Sequence, residues 1–234
     1  MIVPIILISL GALVLTFFLI EKIKAYSLKA VALKTIASLL FIALGAYSLS
    51  KSNLAILPMF VVIALALGMV GDIALDLKYV FKEKDFEFTL AGFISFALGH
   101  VFYITGMFIE FYKGQNVLYI IIPIAFGLLM GLVCLLIEKP FKLDYGRLKP
   151  FAILMYGSLL FMMVGTAFSM WIMSGFAING IMMLAIAGVS FAVSDLILNN
   201  TYFGEGHEKP FDIISNTVTY YIAQFLIAIA ILFI

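Results

Sequence analysis

Met69-Val-Gly-Asp-Ile-Ala-Leu-Asp-Leu77 closes an apolar run that begins near Leu54, and it sets two carboxylic acids, Asp72 and Asp76, at the end of a segment otherwise suited to hydrocarbon. A run of about 20 apolar residues is long enough to cross a bilayer as a helix. An acidic side chain in such a helix costs roughly 2.5–3.5 kcal/mol on insertion scales at the bilayer centre, so it marks a functional site by default. Asp72 and Asp76 are four residues apart, which puts them on one helix face about 6 Å apart along the axis. Phe191-Ala-Val-Ser-Asp-Leu-Ile-Leu-Asn199 echoes the stretch, with Asp195 where Asp72 stands and Asn199 where Asp76 stands.

The rest of the chain is of the same kind. Of its 234 residues 65% are hydrophobic and 12% charged, and the mean hydropathy is +1.21. Soluble domains are near half apolar and a quarter charged, so an all-α integral membrane protein is expected. The net charge of +1 supplies no basic surface for nucleic acid. Cys134 is the single cysteine, which excludes an internal disulfide and a cysteine-based metal cluster. The first segment has no basic residue ahead of it and no small-residue cleavage pattern, so it reads as a retained helix.

Spanning segments fall at about 2–20, 29–48, 54–77, 89–111, 117–137, 149–171, 175–198 and 213–233, eight in all, joined by short connections. The runs are too long and too uniformly apolar for barrel strands. Lys22, Lys24, Lys29, Lys78, Lys82, Lys84, Lys139, Lys142, Arg147, Lys149 and Lys209 all lie in or beside odd-numbered connections. The bias of Lys and Arg toward the cytoplasm therefore predicts both termini outside, with Asp72 and Asp195 at cytoplasmic helix ends. A bacterial inner membrane is the expected location. Ser38-Leu-Leu-Phe-Ile-Ala-Leu-Gly45 recurs as Ser158-Leu-Leu-Phe-Met-Met-Val-Gly165 at an offset of 120, Asp72 and Asp195 match at 123, and His100 and Gln224 match at 124. One domain, 1–234, is expected, built as a four-plus-four parallel repeat with halves at about 1–116 and 117–234. Sites in such folds lie at the repeat interface.

Other polar residues share faces with these acids. His100 and Tyr103 lie together in the fourth segment, where Gly92, Gly99 and Gly106 recur every seven residues as a close-packing stripe. Asn216, Tyr220 and Gln224 form a stripe in the eighth segment that suits either a site or interhelical bonding. Asp76 is expected near the interface, and Lys34 either snorkels there or meets a phosphate. Gly127 and Gly131 read as a packing notch, and His207, beside Glu205 and Glu208, as a solvated loop residue. Metal-hydrolase, nucleotide-loop and serine-hydrolase motifs are lacking.

Two carboxylates on one cavity are the least equipment for acid–base hydrolysis: one delivers a proton while the other orients water or stabilises a cation. The same acids would serve a proton-coupled lipid or small-molecule transporter. An intramembrane aspartyl protease fits poorly, because Gly68-Met-Val-Gly-Asp72 has the wrong spacing for its signature and the partner aspartate follows Ser194.

Gly71-Asp72, Ala91-Gly92-Phe93, the Phe96 to Tyr103 run, Ser194-Asp195 and Tyr220-Tyr-Ile-Ala-Gln224 together resemble the YhhN / transmembrane protein 86 family, the lysoplasmalogenases, over nearly the whole chain. The resemblance implies cleavage of the vinyl ether bond of a lysoplasmalogen to a fatty aldehyde and glycerophosphoethanolamine or glycerophosphocholine, with no metal or other cofactor. It implies Asp72 and Asp195 as catalytic residues. Lys34, Asp76, His100, Tyr103, Asn199, Tyr220 and Gln224 are then the substrate-binding set, although Thr35 stands where the family often has proline after the lysine. The implied partners are a lysophospholipid substrate and membrane lipid, with oligomeric state open.

Overall fold

In a hydrocarbon medium a chain must satisfy its backbone hydrogen bonds internally, and an unbroken helix does this within one segment. A computed structural model describes residues 2–53, 56–148, 155–204 and 209–234, and they are helical almost throughout. The helices are α1 (Ile2–Lys24), α2 (Leu28–Lys51), α3 (Ile56–Val80), α4 (Asp85–Phe111), α5 (Leu118–Ile137), α6 (Ser158–Met173), α7 (Asn179–Phe203) and α8 (Pro210–Ala230). Among the described residues, eight helices are long and apolar enough to cross a membrane, the make-up of a multi-pass membrane protein.

Local chemistry sets several ends. The Ser27 hydroxyl accepts the Ala30 N–H at 3.2 Å and caps α2. Pro210 opens α8, where a missing N–H costs nothing. Pro58 and Pro123 fall within the first two turns of α3 and α5. Several boundaries differ from the sequence expectation by a few residues; α7, for one, runs from Asn179 to Phe203. α1 continues past Ile20 to Lys24, because the lysine stems extend its apolar face, and this carries Lys22 into the helix. Residues 155–157 lead into α6 in π-helical form. The expected start of that helix, with Lys149 and Pro150, lies outside the described residues, as does the His207 loop.

Chain neighbours pack together: α1 on α2, α2 on α3, α3 on α4, then α5 on α6, α6 on α7 and α7 on α8. α4 packs on α6, and α2 packs on α8. The small-residue stripe of α4 faces α3, and a Cβ on Gly92 would lie 2.5 Å from Leu75 Cδ2. Gly127 is a notch of the same kind, since a Cβ there would lie 2.6 Å from the Ser158 carbonyl oxygen. α1 and α5 are the least buried of the eight, each covering one flank of the bundle.

One end of the bundle is aromatic and charged. Tyr26, in the α1–α2 connection, stacks on Tyr79 with ring centroids 3.9 Å apart. The Asp144 N–H, in the α5–α6 connection, donates to the Phe203 carbonyl at 2.8 Å. The ends of α3 and α7, with their aspartates, are thereby covered by odd-numbered connections.

Candidate active site

Asp72 is fully inside the bundle, and its two oxygens are used differently. Oδ2 accepts the Ser38 hydroxyl of α2 at 2.8 Å and the Tyr220 hydroxyl of α8 at 2.9 Å. Oδ1 faces Lys34 Nζ at 3.3 Å. Three helices thus converge on one carboxylate. Gln224 Nε2 donates to the Tyr220 hydroxyl at 2.8 Å, which leaves that hydroxyl's proton for Asp72. Tyr103 reaches Gln224 Oε1 at 3.5 Å, the outer limit of a hydrogen bond. Tyr221 joins the same cluster, within 2.9 Å of the Ser38 hydroxyl and 3.2 Å of the Lys34 carbonyl.

Asp76 lies one turn further on, only 4% exposed rather than at the interface. Its Oδ1 takes Lys22 Nζ at 2.7 Å and lies 3.6 Å from Lys34 Nζ. Lys34 therefore sits between two carboxylates instead of snorkelling out. Two ammonium groups balance two carboxylates in a buried cluster, an arrangement stable only when every charge is paired. Asp76 Oδ2 has no hydrogen-bond partner among the described residues.

Asp195 has a different environment. Its Oδ2 accepts the Tyr156 hydroxyl, and among the described residues no lysine or arginine pairs with it. Tyr156 sits in the π-helical lead into α6, and such single turns are frequent at functional sites. Asp195 and Asp72 line one small polar cavity, together with Lys22, Lys34, Tyr220 and Asn216. Asp195 and Tyr156 also line a second cavity, mostly apolar, with Phe93, Leu160, Phe161 and Phe203. Asp195 thus stands at the wall between a charged chamber and an apolar one.

The structure brings Asp72, Asp195, Lys34 and Tyr220 onto the polar cavity. Asn199 lines the apolar cavity instead, near Tyr145 of the α5–α6 connection. Burial pushes the Tyr145 phenol up, and its hydrogen bond to Asn199 opposes that. Asp76 is not among the lining residues of the polar cavity, and it acts by holding Lys22. Gln224 stands behind Tyr220. Tyr103 lines a separate apolar cavity with Met107 and Leu184. His100 does not reach either aspartate: Nδ1 lies 3.3 Å from Met163 Sδ, and Nε2 is unpartnered among the described residues. Asn216 binds α7 to α8, donating to the Ser194 carbonyl at 2.8 Å.

Lys22, Ser38, Tyr156 and Tyr221 were not legible as site residues. Lys22 reads as a flanking charge and Ser38 as part of a repeat match. Tyr221 falls inside the Tyr220 to Gln224 motif without a role of its own and Tyr156 in no motif, and the one signal either offers is that a buried tyrosine hydroxyl needs a partner.

Among the described residues, eight helices long and apolar enough to cross a membrane surround an interior cavity that Asp72 and Asp195 both line, the make-up of a multi-pass helical membrane protein. The chain belongs to the YhhN family, whose model matches residues 29–231. No curated protein and no solved structure matches it.

Proposed function

We propose that this protein is a lysoplasmalogenase, a hydrolase that cleaves the vinyl ether bond of a lysoplasmalogen to give a fatty aldehyde and glycerophosphoethanolamine or glycerophosphocholine. The observation that carries the reading is the pair Asp72 and Asp195 on one cavity, the first beside a lysine and the second beside a phenol. Family membership is consistent with it.

The difference in partners suggests a division of labour. Asp72, ion-paired to Lys34, is the standing carboxylate. Asp195, whose partner is neutral, carries the proton. Asp195 protonates the vinyl β-carbon, the C=C π electrons form the new C–H bond, and the α-carbon becomes an oxocarbenium stabilised by the Asp72 charge. Water adds to that carbon and gives its proton to Asp72. The hemiacetal then collapses: its hydroxyl returns a proton to Asp195 as the C=O forms, the bond to the glycerol oxygen breaks and that oxygen takes the proton held by Asp72, so aldehyde and glycerol alcohol leave, both aspartates are restored and one water is consumed overall. Proton transfer from a positioned acid contributes roughly 10²–10⁴-fold in rate.

The helix neighbours support a four-plus-four repeat: α1–α2–α3–α4 recurs as α5–α6–α7–α8, and α4 on α6 answers α8 on α2. The lysine-rich connections support termini outside and a site at the cytoplasmic end, in a bacterial inner membrane. A proton-coupled carrier is the second reading, favoured by the buried Lys22, Lys34, Asp72 and Asp76 charges.

The test is aldehyde release from purified protein given lysoplasmenylethanolamine, with the saturated alkyl ether as control. Asp72→Asn and Asp195→Asn, each folded by size exclusion and circular dichroism, are expected to lose at least about 10²-fold in kcat. Full turnover in both folded variants would overturn the assignment. Transport of unchanged lipid across liposomes, without aldehyde, would establish the carrier.

A further inference from the structure

Resting on the lipid-hydrolase reading, we infer that the substrate's hydrocarbon chain leaves the site sideways, between α6 and α7, and lies in a groove on the outer flank of the bundle beside α5. The groove has α6 as its floor and α5 and α7 as its walls. Phe161 and Leu196 line both this groove and the apolar cavity. Asp195 in turn lines both the apolar cavity and the polar one. Groove, apolar cavity and charged cavity therefore form a series that ends on the two aspartates.

The occupant follows from the lining. Pro123, Phe126, Val164, Phe168, Val189 and Val193 are apolar, and the Ser169 hydroxyl is already committed to the Tyr119 carbonyl at 2.8 Å. The other end of the series holds Lys22 and Lys34. Because those lysines are already paired to Asp76 and Asp72, that end is polar without net charge, and a molecule with one long alkyl or alkenyl chain and one zwitterionic head matches that sequence of environments. Asp195 and Leu196 are consecutive on α7, so about 100° of rotation and 1.5 Å of rise separate the proton donor from the groove wall. Leu196 is 46% exposed and Phe161 8%, which makes Leu196 the outer and Phe161 the inner side of the passage. α5 packs chiefly on α6, so the groove is bounded on that side by a single helix contact.

Val193→Trp narrows the groove at an exposed wall position, and Leu132→Trp, exposed on α5 away from the groove, is its control. With lysoplasmalogens of long and short alkenyl chain, Val193→Trp is expected to raise KM for the long chain about tenfold, the scale of losing a few methylene contacts. The ratio of long-chain to short-chain KM rises accordingly, while all constants of Leu132→Trp stay unchanged. Equal change for both chain lengths, or none, overturns the inference. A second measurement does not need turnover: a non-hydrolysable alkyl-ether lysophospholipid with a photoreactive group at the chain end is expected to label Phe126, Val189 or Val193, displaced by unlabelled lysolipid. Labelling there without aldehyde release keeps the chain site and removes the reaction. Aldehyde release with displaceable label only elsewhere, for instance at Ile8 and Leu15 between α1 and α8, or with label in the groove that lysolipid does not displace, overturns the chain site and keeps the reaction.

Discussion

Lys22 and Lys34 stand among Asp72 and Asp76 with separations from 2.7 to 3.6 Å, and each charge is tolerable inside the bundle because of the others. Lys22→Met leaves Asp76 without its nearest cation, and removing one partner of a buried pair costs about 3–5 kcal/mol. Asp76→Leu placed in the same chain is expected to recover most of that, because both charges are then gone. Unfolding of the purified protein by denaturant, run as a double-mutant cycle, measures the coupling, and simple additivity would contradict the pairing. Tyr156→Phe removes the hydroxyl donated to Asp195. Here kcat is expected to fall on the order of tenfold with KM held, the scale of one hydrogen bond to the carboxylate that Asp195 becomes as its proton leaves; an unchanged kcat would show the phenol to be structural only. Asp72 and Asp195 were legible in the sequence because a carboxylate in an apolar run is costly. Lys22 and Tyr156 were not, since lysines and tyrosines near helix ends ordinarily anchor a helix at the membrane surface. Only the fold brings Lys22 from α1 and Tyr156 from before α6 to acids on α3 and α7.

The helices themselves could be read from length and hydropathy, and most boundaries agree to within a few residues. Which helix touches which could not, because the lipid-facing and protein-facing sides are nearly equally apolar. α4 is an exception: its seven-residue glycine spacing gave the close face in advance, and Gly99 packs there with a hypothetical Cβ 3.4 Å from the Ala64 carbonyl. The α5–α6 notch offers a test at this scale. Gly127→Leu drives a side chain into the Ser158 carbonyl and the Met162 backbone, and overpacking of this kind costs about 1–3 kcal/mol. The expected result is a lower melting temperature for the whole protein and weakened long-chain turnover, since α5 also walls the groove. A substitution without effect on either would mean that α5 is not held at that contact.

Across the whole molecule, the aromatic and charged ends of α1, α2, α3 and α7 lie together, under the odd-numbered connections. Cysteines introduced at the two termini are expected to react with a membrane-impermeant thiol reagent from outside the cell, and one at Lys82 only after permeabilisation. The reverse pattern would invert the proposed orientation and move substrate access to the other leaflet.

The buried cluster also bears on how the protein is made. Lys22 and Lys34 arrive on α1 and α2, while the carboxylates that neutralise them, Asp72 and Asp76, arrive on α3. During synthesis the first two helices emerge with ammonium groups that have no counter-charge, and their stems keep those groups at the water boundary. The arrival of α3 lets both lysines turn inward. The charge pairing therefore needs α1, α2 and α3 together, and nascent chains that end before Asp72 are expected to integrate with α1 and α2 only loosely associated.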